Sequence, residues 1–277
     1  MDFFHDIFHY RFLMQALLAA VLSGITCGVM GTYIVCRRMV FLSGGITHAS
    51  FGGIGIAYWL GRDPILGAML FAVLSALGIE WANDRGRIRQ DSAIGIAWSA
   101  GMAAGIIFIY LTPGYAPNLM SYLFGSILTV THTDTVRLGI LTVAVLGLWA
   151  LCSRAAVFAA FDREFARSQG IPVKAVSRTA AVLAALTIVL SIRVVGIVLL
   201  ISLLTMPAVI ANSLSNSYGR ITLLAVVVAV AGNVAGLAAS YGMNIPAGAA
   251  TIFLLTLTLI VVKLLPLCRK SPRSSAR

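Results

Sequence analysis

RRMVFLSGGITHASFGGIGIAYWLG, Arg37 to Gly61, opens on two arginines and then carries no Lys, Arg, Asp or Glu through to its last residue. A helix rising about 1.5 Å per residue crosses ~30 Å of hydrocarbon within such a run. If the segment is helical from about Gly45, then Gly45, Ala49, Gly53 and Ala57 form a small-residue stripe at four-residue spacing. Such a stripe lets another helix approach closely. Beside it run Gly44, His48, Gly52 and Gly55, so His48 has no side chain one turn above or below it. An ionisable residue at membrane depth is a functional candidate, and a neutral imidazole is a common ligand for zinc, manganese or iron. The same residue also suits hydrogen bonding and packing against a neighbouring helix. One histidine is not a coordination sphere, so both readings stand.

The rest of the chain has the same character. Of 277 residues 60% are hydrophobic and only 10% charged, with a mean hydropathy of +0.97. Soluble domains carry about a quarter charged residues, and so few charges cannot cover a water-soluble surface. Apolar runs extend from Phe12 to Cys36, Val40 to Leu60, Pro64 to Ala82, Ser92 to Leu111, Val136 to Cys152, Val176 to Ile192, Val194 to Ala211, Ile221 to Ser240 and Pro246 to Leu267. The expected fold is all-α and polytopic, with nine crossings, or eight if one of the shorter runs does not span. Leu119 to Val130 is too short to cross and reads as a re-entrant or interfacial helix. Residues 1–10 read as an interfacial segment, 11–267 as one transmembrane domain and 268–277 as a basic tail.

A net charge of +11 would suggest nucleic acid in a soluble protein, but here the basic residues cluster between apolar runs. One side collects Arg37, Arg38, Arg85, Arg87, Arg89, Arg154, Arg163, Arg167, Lys174, Arg178, Arg220 and the tail Arg269, Lys270, Arg273 and Arg277. The other has Arg11, Arg62 and Arg193, with Arg137 unassigned. The positive-inside rule then places the N-terminus outside and the C-terminus in the cytoplasm, with the tail leaning on anionic lipid. Residues 1–10 hold two acids and no Lys or Arg, which does not fit a cleavable signal peptide. Cys27, Cys36, Cys152 and Cys268 show no paired spacing and imply neither disulfides nor a zinc module. No GxxxxGK[ST] occurs, so energy for active transport has to come from another subunit or an ion gradient.

Three further segments could carry chemistry. FDREFARSQGIP, Phe161 to Pro172, predicts a short amphipathic helix: Asp162 caps it, Glu164 suits its first turn, Gly170 ends it in the left-handed region and Pro172 blocks continuation. That helix either docks a soluble partner through Phe161 and Phe165 or lies among lipid headgroups. In MDFFHDIFHY, Asp2, His5, Asp6 and His9 share one helical face, which could collect a divalent cation at an outer mouth or form the polar side of an interfacial helix. THTD, Thr131 to Asp134, reads as a polar loop more readily than as a site. Pro207 inside TMPAVIAN, and RVVG from Arg193 to Gly196, signal irregular backbone of the kind tolerated where protein or a water-filled cavity satisfies it, as along a transport pathway, an ordinary proline kink being the commoner case.

Taken in order, the arginine pair with SGGITHASFGG, DSAIGIAWSA from Asp91, YLFGSIL from Tyr122, FDREFARSQGIP, RVVGIVLL with LLTMPAVIAN, and NIPAG from Asn244 resemble the permeases of ABC-type zinc and manganese importers over nearly the whole chain. The resemblance implies a cobalamin-importer-like, type II fold. It also implies a homodimer or a pair of related permeases, two copies of a separate cytoplasmic ATPase that uses the ATP, and an extracytoplasmic metal-binding protein. By this resemblance the chain is a bacterial inner-membrane transporter subunit and no enzyme, with no covalently bound cofactor and a divalent metal ion as cargo. His48 matches the family's metal-pathway histidine, while Gly44 stands where the family usually carries an aspartate. Phe161, Asp162, Glu164, Phe165, Ala166 and Gly170 match the ATPase-coupling loop. An alternative cargo is a chelated metal or cobalamin-like cofactor. An intramembrane enzyme is disfavoured by the lack of a GxSxG-like turn, an HExxH motif or an acidic pair within a span.

Overall fold

A computed structural model describes residues 6–265 except 8, 86–87, 114–129 and 244. Ten helices are described: α1 (Arg11–Cys36), α2 (Val40–Trp59), α3 (Pro64–Asp84), α4 (Gln90–Tyr110), α5 (His132–Phe161), the short α6 (Arg163–Ser168), α7 (Val173–Val195), α8 (Ile197–Leu214), α9 (Tyr218–Met243) and α10 (Ala247–Leu264). All but α6 are long and apolar enough to cross a membrane, giving nine such helices among the described residues. The expected Leu119–Val130 helix, apart from Val130, and the basic tail lie outside the described residues.

Helix starts explain where the apolar runs and the helices differ. α5 begins four residues before its expected run because Thr131 and Asp134 form a reciprocal cap. Thr131 Oγ1 accepts from the Asp134 amide at 3.3 Å, and Asp134 Oδ2 accepts from the Thr131 amide at 3.1 Å. THTD is therefore a helix start, and the reading of it as a loop is corrected. At α3, Asp63 Oδ1 accepts from the Ile65 amide and Pro64 takes the first helical position. Burial pushes the Asp63 carboxyl up, but that amide and the Arg137 guanidinium 3.0 Å away outweigh it and hold it below the ordinary carboxylate range. Between α7 and α8 a single residue, Gly196, turns the chain at φ 78° and ψ 165°, a region open essentially to glycine alone. The irregularity signalled by RVVG is thus confined to its glycine. Pro207 does not break α8, which continues through it with the proline buried.

α1 runs through the centre of the bundle, against α5, α7, α8 and α9. Polar pegs fix its register: Asn233 Nδ2 on α9 donates to the Ala20 carbonyl at 2.9 Å, and the Thr26 and Thr142 hydroxyls meet at 2.9 Å between α1 and α5. α2 is the most enclosed of the membrane-crossing candidates, lying between α3 and α4. A Cβ built on Gly101 of α4 would stand 2.5 Å from Ala49 Cα, and one on Gly55 would stand 2.8 Å from Gly105 Cα. Gly53 and Gly67 likewise bring α2 and α3 backbone to backbone. The Gly45, Ala49, Gly53, Ala57 stripe is therefore shared, its first half facing α4 and its second half α3.

These approaches leave no room for a methyl group. Gly53→Ala is expected to destabilise the purified protein by about 1–3 kcal/mol through overpacking. Gly78→Ala, on the same helix system but with open space at its Cβ position, is expected to leave the melting temperature unchanged or raised. Thermal unfolding of the two variants in one detergent checks both.

Candidate functional site

His48 lies midway along α2, and its imidazole stacks on the indole of Trp98 from α4, with centroids 4.2 Å apart and planes 7° from parallel. Phe51, one turn on, lies 6.2 Å away at 18°. His48 Nδ1 is buried and has no hydrogen-bond partner among the described residues. Trp98 also lies beside Gly44, where a Cβ would come 3.5 Å from Trp98 Cζ3. The expectation that no side chain of α2 flanks His48 holds four residues away on either side, at Gly44 and Gly52, but is corrected at Phe51, three residues on, and Trp98 adds a neighbour from α4. A flat aromatic wall thus positions an imidazole whose buried nitrogen no other described residue uses. Among the described residues no three His, Cys, Asp or Glu side chains come together as a metal-ligand group.

The Phe161 to Pro172 segment folds as its residue types demand. Asp162 Oδ1 accepts from the Glu164 and Phe165 amides at 3.0 and 2.9 Å, capping α6. At the other end the Gly170 amide donates to the Arg167 carbonyl and the Ile171 amide to the Ala166 carbonyl, with Gly170 at φ 74°. That pair of bonds is the Schellman arrangement that ends helices on glycine. Ala166 is fully buried, in a small apolar cluster with Ala159 and Val173 against which Ile171 packs. Of the six loop residues singled out in the sequence, Ala166 therefore holds the helix down. Phe161 (68% exposed), Phe165, Glu164 and Asp162 face outward, with Phe165 resting edge-on against Phe158 at 5.6 Å.

A cluster missed in the sequence lies directly behind this loop. Glu80, 1% exposed near the end of α3, receives Arg37 Nη1 at 3.1 Å on one oxygen and Arg163 Nη2 at 3.5 Å on the other. Arg163 Nη1 also donates to Asp84 Oδ1 at 3.2 Å, and its Nη2 lies 3.4 Å from Ser177 Oγ on α7. Arg37 reaches the Tyr33 hydroxyl as well. The available signal was an acid inside an otherwise apolar run.

The N-terminal stripe is only partly described, since Asp2 and His5 lie outside the described residues. Asp6 Oδ2 accepts from the Tyr241 hydroxyl at 2.6 Å, tying this segment to the end of α9. Asp134, near the other end of the bundle from Glu80, is buried between Thr131 and Arg193 and lines a small cavity with Ser50, Ile54 and Ala68.

The ABC 3 transport family matches residues 9–265 of the chain. A probable metal transport system membrane protein of Chlamydia pneumoniae is 38% identical over 227 residues, covering 80% of this chain and 78% of that protein. A manganese transport system membrane protein of Listeria monocytogenes is 33% identical over 237 residues, covering 86% and 84%. Among solved structures, PsaBC from Streptococcus pneumoniae in complex with a Fab superposes with a TM-score of 0.84 at 29% identity, over 97% of both chains. An inward-facing ABC transporter of metal-chelate type shares the fold alone, at a TM-score of 0.74 and 12% identity over 94% of this chain and 87% of that one. With its nine apolar helices and a family match spanning nearly its whole length, the chain belongs to the ABC 3 transport family, as a non-enzymatic permease subunit.

Proposed function

We propose that this chain is the membrane permease of an ATP-driven importer of divalent metal ions, with manganese the first cargo to test and zinc and iron(II) beside it. The observation that carries this reading is the His48 imidazole, held flat by Trp98 with a buried nitrogen that no described residue uses, in a chain whose relatives are named for metal and manganese transport. The ion passes between two permease copies, each contributing His48, because one copy brings no three ligand side chains together among its described residues. An extracytoplasmic binding protein delivers it, with Asp6 and His9, and His5 ahead of them, at the outer mouth. Two copies of a cytoplasmic ATPase bind α6 through Phe161 and Phe165 and drive alternating access. The end of the bundle bearing Arg37 and Arg163 faces the cytoplasm, placing the N-terminus outside and the C-terminus inside. Residues 11–267 act as one permease domain.

A second reading, a chelated metal or cobalamin-like cofactor as cargo, is suggested by Gly44 and Gly52 on either side of His48 in the sequence. Trp98 stands beside Gly44, however, and Phe71 and Gly101 fill the space at Gly52, which favours the bare ion. Uptake into proteoliposomes holding the complete complex separates the two. Free manganese, zinc or iron(II) is expected to accumulate; a chelate accumulating while all three free ions fail overturns the free-ion reading.

His48→Ala is expected to lower metal uptake by about ten-fold or more, since even groups that only support a metal ligand typically cost that much. Dimer assembly by size-exclusion chromatography stays intact, and unchanged uptake would reduce His48 to a packing residue. Gly170→Val forces a branched residue to φ 74°. It is expected to lower metal moved per ATP by about five-fold, the low end of typical coupling between sites; an unchanged ratio returns α6 to an interfacial role.

A further inference from the structure

Four ionised side chains from three separate parts of the chain meet behind α6. Arg37 sits at the corner joining α1 to α2, Glu80 and Asp84 lie one turn apart at the end of α3, and Arg163 opens α6. Their formal charges cancel. Glu80 is 1% exposed and Arg37 7%, so the centre of the cluster is cut off from water. Apolar side chains of similar size would hold these helix ends together without the desolvation that buried charges carry. What ion pairs supply is direction: the planar guanidinium of Arg163 reaches Glu80, Asp84 and Ser177 at once, a fork that apolar contacts cannot reproduce.

We propose that Arg163, Glu80, Asp84 and Arg37 are positioning residues that transmit displacement of α6 to α2, the helix carrying His48. This rests on the reading of α6 as the surface where the ATPase docks. Arg163 directly follows Asp162, the α6 cap, so its guanidinium moves with that helix. It grips the end of α3 through two carboxylates, and the second oxygen of Glu80 grips Arg37. Arg37 is three residues ahead of α2, across a corner held by Arg38 at φ 56°. α3 meets α2 again at Gly53 and Gly67, where the backbones touch. A displacement of α6 therefore either breaks buried charge-assisted hydrogen bonds or carries the end of α3 and the α1–α2 corner along. None of the four residues contacts His48, and their role is mechanical.

The test uses the complete complex in proteoliposomes, with its partner ATPase and its external binding protein. Two quantities are read: the stimulation of ATP hydrolysis when the binding protein is added at the outer face, and the manganese accumulated. Arg163→Gln is the primary variant, because Arg163 is the most exposed of the four and Glu80 keeps Arg37 as a partner. It is expected to assemble and keep basal hydrolysis but to lose about five-fold or more of the stimulation, the low end of typical coupling between sites. Glu80→Gln is expected to match it, and the double variant to be no worse than either single one, because each breaks the same series of contacts running from Arg163 through Glu80 to Arg37. Arg163→Lys, which keeps the charge but not the fork, is expected to retain part of the stimulation. Stimulation within about two-fold of wild type in Arg163→Gln overturns the proposal, as do independent, additive losses in the double variant. A purely structural role is recognised by a lowered melting temperature with stimulation kept, which also overturns it. A wild-type complex that is stimulated yet accumulates no manganese, zinc or iron(II) overturns the cargo reading and leaves the linkage standing.

Discussion

Lipid tails are as apolar as leucine, so burying apolar surface does not by itself draw helices together in a bilayer, and here they meet where small residues let one backbone touch another. The α2 helix shows the consequence. Ala49 against Gly101, Gly55 against Gly105, and Gly53 against Gly67 leave it enclosed by α3 and α4 at distances that no Cβ would tolerate. That enclosure fixes the angular position of α2, and with it the direction of His48. Trp98 reaches the imidazole because Gly101, one turn along α4, has already brought the two backbones together.

Charge is used sparingly and for ties. The chain has nine acidic residues against twenty basic ones. Among the described residues, Asp63 joins α3 to Arg137 of α5, Asp134 joins α5 to Arg193 of α7, and Glu80 with Asp84 joins α3 to Arg37 and Arg163. Asp162 is spent on capping α6. Buried carboxylates are tolerated when each oxygen has a cationic or hydrogen-bonding partner, and Glu80 meets that condition on both oxygens. Among the described residues, the basic side chains outside these ties sit mostly in turns and near helix ends, positions where water and headgroups can solvate them.

The two ends of the bundle consequently differ in kind. Toward Arg37 and Arg163 a buried ionic cluster stands behind an outward-facing helix bearing Phe161 and Phe165. Toward Asp63 and Asp134 two ion pairs, Asp63 with Arg137 and Asp134 with Arg193, brace α3, α5 and α7 around a small cavity. His48 lies between these ends, on the helix that touches α3 and α4 through backbone. The contacts of α2 with α3 and α4 that are made at glycine have no side chain to flex.

Much of this was legible in the residues themselves, where the physics is local. A bilayer demands long uncharged helices, so the spans could be read from hydropathy, and α6 could be drawn from Asp162 to Gly170 because capping and chain reversal involve neighbours only. The same locality misled at THTD, where a cap resembles a polar loop. His48 was visible as a lone ionisable group. That Trp98 covers it, that the small-residue stripe of α2 divides between two partners, and that Glu80 joins Arg37, 43 residues away, to Arg163, 83 residues away, was decided by the tertiary structure alone. Sequence spacing determines which residues share a helical face; which faces meet depends on how closely every backbone in the bundle can approach its neighbours.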